Sequence, residues 1–469
     1  MLLPLLLALA AQAQTTPPPV EAPRDRRQIH SLIDTADPDD DPLSLGLVSR
    51  TPFGGNPFSI TIVSPISLGW TLGARPNTLE IVLTSLGSGF DESFYLQLPL
   101  KIGAKKRPLL MVFHKFGSKA NDPYLHTKFP LECSKRNWFM LSSLGASKKS
   151  FSSLPSQENR DDVLDWVMAL YSNQIDTDRI YGVGFSMGGG SVTNWAARHL
   201  DPAKLRMAAL VDHTGGVALE DTWKNEVSAI HDIMKIWFGG PPGQFPFEYQ
   251  RSSVLSFKPG TMVGHRLKSL GSNLVDVPMK LVNADQDPLT YLVAQTKAFR
   301  DFLVPLGATV VYEEVNSTVH DWATLDAKAA CDFLSAFTLT TPLAADSLAD
   351  RDGRWHWFDL SQDVTGAFTP VSWSIETASN KLELSNTANL KRIGIDLDEA
   401  PLSAALPLTV EMESADFLAD IVDLTGYVNP PSAVLRDGLP TLAWTWDAGA
   451  QRVTLLETDP QEHVWQITP

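Results

Sequence analysis

One stretch constrains this chain more than any other. Residues Arg179 to Phe185 (RIYGVGF) read as a strand and Gly188 to Leu200 as a helix, with Gly184-Phe185-Ser186-Met187-Gly188 joining them and Gly189 and Gly190 following. A chain that passes directly from strand to helix must turn within a few bonds. The turn forces Ser186 into a strained backbone conformation. Side chains at 184 and 188 would collide with neighbouring structure, which is why glycine stands at both. The turn also lifts the serine hydroxyl above the sheet edge and sets it at a helix N-terminus. The plain alternative, a glycine-rich turn, would need neither the strand before nor the helix after.

Around this turn, strands and helices alternate. Residues 58–64 (FSITIVS), 78–84 (TLEIVLT) and 93–100 (SFYLQLPL) read as strands bounded by Gly, Pro and Asn. Leu109 to Phe113 is a continuous apolar run, suited to a strand buried on both faces of a parallel sheet. Trp138–Leu141, Met207–Val211, Met279–Asn283 and Thr309–Tyr312 are further strands. Residues 158–172, 288–303 and 322–336 are helices, the first with Val163, Trp166, Val167 and Leu170 at helical spacing. Such alternation predicts a parallel sheet with helices on both faces, over residues 46–340.

Near Thr341 the period changes. Short alternating runs such as SWSIET, KLELSN and RVTLLE follow, and residues 341–469 read as an all-β module. The formal net charge of −16 is concentrated there, with 20 Asp and Glu against 7 Lys and Arg. An acidic chain is a poor partner for nucleic acid or anionic lipid. Its tryptophans at 355, 357, 373, 444 and 446 admit two readings: a carbohydrate-binding surface, or packing within the module and against its neighbour. At the other end, MLLPLLLALAAQA (1–13) ends in a small-x-small pattern and is expected to be a signal peptide cut before Gln14. Residues 14–45, rich in Pro, Asp and Thr, read as a linker. No later run is long and apolar enough to span a bilayer. The two cysteines, Cys133 and Cys331, would be bridged in an oxidising compartment or stand as buried thiols.

A serine nucleophile needs a base, and the base an orienting acid. Strand MKLVN leads into Ala284-Asp285-Gln286-Asp287-Pro288, and strand TVVYEEV into Asn316-Ser317-Thr318-Val319-His320. Both loops leave the C-terminal end of a strand, where α/β sheets collect their chemistry. His320 is the candidate base. Asp285 and Asp287 are both candidate acids; Asp287, next to Pro288, is favoured. His213 comes too early in the chain order, and His114 supports the loop after Phe113. His and Cys are too scattered for metal-ligand spacing, and no phosphate-cradling glycine loop occurs, so no metal or cofactor is expected.

The segment DTDRIYGVGFSMGG resembles the corresponding region of secreted bacterial feruloyl esterases and polyhydroxybutyrate depolymerase-like esterases, and of prolyl-oligopeptidase-like hydrolases. NADQDP looks like their acid turn, with Ala284 where glycine is usual, and Val319-His320-Asp321-Trp322 looks like their histidine loop. The resemblance covers roughly residues 90–340. It implies an α/β-hydrolase fold, a triad of Ser186, Asp287 and His320, and an oxyanion hole from the N–H groups of Met187 and Phe116. Lys115 departs from the His-Gly seen in many relatives; its ammonium either enters the site or, as favoured, points to solvent. The function implied is an extracytoplasmic carboxylic-ester hydrolase acting through an acyl-enzyme, with polysaccharide- or polymer-linked esters among its possible substrates. A serine peptidase on the same scaffold, and a non-catalytic binding protein of the same fold, are the alternatives.

Overall fold

A computed structural model describes residues 61–62, 77–416, 420–458 and 461–469. The expected signal peptide (1–13) and linker (14–45), and most of the strand at 58–64, lie outside the described residues.

The first layer is a sheet of nine strands. In chain order the elements are β1 (Thr61–Ile62), β2 (Thr78–Thr84), β3 (Asp91–Gln97), β4 (Arg107–Phe113), α1 (Asp122–His126), α2 (Phe129–Arg136), β5 (Phe139–Ser143), α3 (Leu154–Tyr171), β6 (Ile175–Phe185), α4 (Met187–Arg198) and β7 (Ala209–His213). Then come α5 (Leu219–Asn225), α6 (Ser228–Phe238), α7 (Pro246–Arg251), β8 (Met279–Ala284), α8 (Thr290–Leu303), β9 (Val310–Val315) and α9 (Ala327–Ser335). The strand order is β1-β2-β3-β5-β4-β6-β7-β8-β9. From β5 to β9 every neighbouring pair is parallel, while β3 meets β5 antiparallel. This is an α/β-hydrolase fold.

Local sequence explains the layering. β4 and β5 lie inside the sheet and are buried almost throughout, as strands covered on both faces must be. β9 is the edge. It alternates partly buried with exposed residues, and Glu313 and Glu314 on it pair with Lys280 and Lys297. Charge on an edge strand discourages pairing with a second chain. The helix expected over 322–336 is divided: a 3-10 turn spans Trp322–Thr324, and α9 starts only where Asp326 caps the N–H groups of Lys328 and Ala329. Cys133 on α2 and Cys331 on α9 are both buried and are held as thiols, not as a disulfide.

No helix or strand was expected between Val211 and Met279. The structure puts α5, α6 and α7 there, over the end of the parallel sheet. Leu219, Met234, Trp237, Phe238 and Tyr249 from this insertion pack with Phe90, Phe151 and Met187 in one apolar cluster.

Beyond Thr341 the described strands, from Ala344–Ala349 to His463–Thr468, form two sheets of seven and six strands around their own core. Trp355, Trp373 and Trp465 are buried in that core, and Trp357, Trp444 and Trp446 pack against it. The packing reading of these tryptophans therefore describes them. The two layers interlock at their junction. Leu348 of the second layer joins the core of the first, and Leu200 of the first joins the core of the second. Asn273 accepts from the Leu348 N–H at 2.8 Å and donates to its carbonyl at 3.0 Å. Asp350, fully buried, accepts from Arg198 Nη2 at 2.9 Å and Nε at 3.2 Å, and from Arg251 Nε at 2.8 Å. Burial works to raise the Asp350 pKa, but the Arg198 and Arg251 guanidinium groups, with the charge of Arg351, overcome it and hold the carboxyl well below the usual carboxylate range.

Candidate active site

The site begins at the turn between β6 and α4. Ser186 has φ 57° and ψ −119°, a region that residues with a β-carbon rarely occupy. Its N–H donates to the His213 carbonyl at 2.9 Å, and its own carbonyl accepts from Gly189 at 3.0 Å and Gly216 at 3.1 Å. A β-carbon at Gly184 would lie 2.0 Å from the Gly188 oxygen, and one at Gly188 would lie 2.1 Å from the Phe113 oxygen. Both glycines are thus required by backbone packed against backbone, where nothing can yield.

His320 comes from the loop after β9 and Asp287 from the loop after β8. His320 Nδ1 stands 2.7 Å from Asp287 Oδ2, and Asp287 Oδ1 accepts the Leu289 N–H at 2.8 Å. Burial tends to raise the Asp287 pKa; the His320 and Leu289 hydrogen bonds outweigh it and bring the carboxyl below its ordinary value. Asp285 does something else. Its side chain accepts the Ser317 N–H at 3.0 Å and so ties the two loops together at the surface. His320 Nε2 is buried and has no hydrogen-bond partner among the described residues.

The Phe185 ring meets two imidazoles, its centroid 4.5 Å from that of His213 and 4.5 Å from that of His320. His213 Nε2 is 2.5 Å from Thr324 Oγ1, and burial together with the nearby His320 lowers its pKa to about 3. It is a neutral packing partner. His114 is likewise buried, with Nδ1 2.9 Å from the Lys115 carbonyl and Nε2 2.8 Å from that of Leu144; burial lowers its pKa. It ties the loop after β4 to the end of β5. Asp212, the neighbour of His213, sits behind the turn. Its Oδ1 occupies the space that a β-carbon at Gly189 or Gly215 would enter, 2.2 Å away in each case. Burial pushes its pKa up to about 7, against the Gly215 N–H.

Ser186, Met187, Phe116 and His320 line one cavity of about 180 Å³, so the structure brings together the residues expected for nucleophile, base and oxyanion donors. Lys115 lines it too, with Nζ 3.5 Å from Asp321 Oδ2; the ammonium is paired beside the cavity and does not simply extend into solvent. The remaining walls were not foreseen: Phe151, Gly216, Thr222, Glu226, Ile230, Leu289, Tyr291 and Leu292. Several come from the α5–α6 insertion, whose position over the site depends on tertiary packing and leaves no local sequence signal. Among the described residues, no helix is long and apolar enough to cross a membrane.

No family model matches the chain. No curated protein matches it either. Several solved structures are similar over part of it. A fluorophosphonate-binding serine hydrolase of Staphylococcus aureus, substrate bound, is 15% identical, covers 55% of this chain and 98% of its own, and superposes with a TM-score of 0.42. Est1E from Butyrivibrio proteoclasticus is 15% identical over 55% of this chain and 99% of its own, with a TM-score of 0.38. Dipeptidyl peptidase 4 of Porphyromonas gingivalis is 15% identical over 55% of this chain and 35% of its own, with a TM-score of 0.40. The matches include esterases and peptidases, the kinds of enzyme that the segment around Ser186 resembles. At this level of similarity the chemistry of the chain rests on its own side chains.

Proposed function

We propose that this chain is a serine hydrolase that cleaves carboxylic esters, with Ser186 as nucleophile, His320 as base and Asp287 as the orienting acid. The observation that carries the reading is the 2.7 Å pair of Asp287 and His320, whose imidazole lines the same cavity as a serine on a strained strand-to-helix turn, with no hydrogen-bond partner for His320 Nε2 among the described residues. Apo hydrogen bonds between nucleophile and base commonly tighten only once substrate is bound.

The steps follow from these positions. Ser186 Oγ attacks the ester carbonyl carbon as its proton passes to His320 Nε2. The imidazolium so formed is stabilised through Nδ1–H by the Asp287 carboxylate. The N–H groups of Met187 and Phe116 receive the oxyanion. Collapse breaks the bond to the alcohol, which leaves with the proton from His320. Water then attacks the acyl-enzyme, again giving its proton to His320, and the acid departs as Ser186 regains its hydrogen. The leader over 1–13 would carry the protein out of the cytoplasm, and the exported chain would begin at Gln14. Residues beyond Thr341 have no place in these steps.

The test is to label the protein with a fluorophosphonate probe and measure aryl-ester and peptide turnover beside it. Labelling at Ser186 with ester turnover supports the reading. Labelling with peptide turnover alone replaces it by a peptidase, and a folded protein that neither labels nor turns over overturns it.

A further inference from the structure

We infer that Glu226 makes the Ser186 cavity selective for substrates whose bound group carries an ammonium. The inference rests on the serine-hydrolase reading and names the substrate class of that site.

The cavity is small, about 180 Å³, and most of its wall is apolar, from Phe116, Phe151, Met187, Ile230, Leu289 and Leu292. Four ionisable side chains interrupt that wall: Lys115, His320, Tyr291 and Glu226. Two are already matched. Lys115 stands 3.5 Å from Asp321, and His320 stands 2.7 Å from Asp287. Glu226 is not matched by charge. Its Oε1 accepts the Tyr291 hydroxyl, a neutral donor, and among the described residues no Lys, Arg or His pairs with it. The tyrosine stays neutral because burial and the adjacent Glu226 both raise its pKa. Behind the pair lies more negative charge: Asp221 accepts from Gln295 at 3.0 Å and adds its own field at Tyr291.

The consequence is a matter of desolvation. A purely hydrocarbon group that fills the cavity strips water from a carboxylate and replaces it with nothing. A group of the same shape ending in an ammonium restores both the charge and the hydrogen bonds. Apolar walls discriminate weakly between chains that differ by one methylene, whereas a polar group left without its partner discriminates strongly. Selectivity at this site is therefore set by the carboxylate more than by the hydrophobic wall.

The test uses two pairs of isosteric esters at neutral pH. On the acyl side, 4-nitrophenyl 3-aminopropanoate is compared with 4-nitrophenyl butanoate; on the alcohol side, 3-aminopropyl acetate is compared with butyl acetate. In each pair an ammonium replaces a terminal methyl. We expect kcat/KM to favour the ammonium ester by about tenfold in one of the two series. Glu226→Gln should bring that ratio close to one, and the preference should also shrink at high salt. Turnover of the neutral ester by the variant reports that it folds. The inference is overturned by equal ratios in wild type and variant, or by a wild-type preference for the neutral ester in both series. If wild type turns over no ester of either kind, the carboxylic-ester reading falls and takes this one with it.

Discussion

Helix α4 has two ends, and each meets a buried aspartate by a different route. At its start Ser186 shares a cavity with His320, which is paired with Asp287; at its finish Arg198 holds Asp350 together with Arg251. Both carboxyls are brought below their ordinary pKa, yet their partners differ in kind. An imidazole can accept and return a proton, so in the proposed reaction the first pair would change its charge state and change it back. A guanidinium does not give up its proton, so the second cluster holds its charge permanently. On the function proposed above, one end would serve turnover, while the other serves cohesion.

The largest effect expected is at the first end. Ser186→Ala should lower aryl-ester turnover by about 10⁴-fold or more while the thermal midpoint stays within a few degrees, as measured by kinetics and calorimetry on the same preparation. Normal turnover by the folded variant would remove the serine from the chemistry. Next, Asp287→Asn should cost on the order of 10³–10⁴ in kcat, since the imidazole then loses its orienting acceptor. Asp285→Asn, at the surface tie to Ser317, should cost less than about tenfold. A reversed ranking would transfer the acid to Asp285.

At the second end the currency is stability. Asp350→Ala leaves two arginines facing an emptied pocket, and urea unfolding should show a loss of about 3–5 kcal/mol, the range for breaking one side of a buried pair. Turnover per folded molecule should change far less than in the Ser186 and Asp287 variants. A thousandfold loss of kcat without loss of stability would erase the contrast drawn between the two ends.

The smallest effect sharpens the comparison with a third buried acid that has no cation. Asp212 has its folded-state pKa raised to about 7 by burial. Between about pH 4 and that value the native state holds a proton that the unfolded chain has released, so stability should fall as pH rises, by up to about 1.4 kcal/mol per pH unit. Asp212→Asn should flatten that slope in chemical denaturation from pH 4 to 7. Asp350 has the opposite sign: its depressed pKa contributes stability present above about pH 4 and lost below it.

What could be read from the chain alone follows from how locally each feature is encoded. The strand-to-helix turn at Ser186 is written in adjacent residues, because Gly184 and Gly188 answer clashes with backbone that the turn itself brings near. Asp287 and His320 were legible because each follows its strand by a few residues. The cavity walls were not. Ile230, Ile233, Met234, Trp237 and Phe238 of α6 do fall at helical spacing, but nothing local says which part of the sheet that short helix covers, and Tyr291 reaches Glu226 from α8, 65 residues further along the chain. The tryptophans beyond Thr341 could be counted but not oriented, since burial on one face of a strand or the other depends on which sheet receives it.

The exchange of leucines between the two cores has a practical side. By composition the chain divides near Thr341, yet Leu348 and Asp350 lie beyond that point and are seated in the first layer. A protein engineer who grafts a different C-terminal module at the compositional seam would remove a plug and leave its socket open. A transferable α/β unit would have to carry the chain through Asp350, together with a substitute for the surface that covers Leu200.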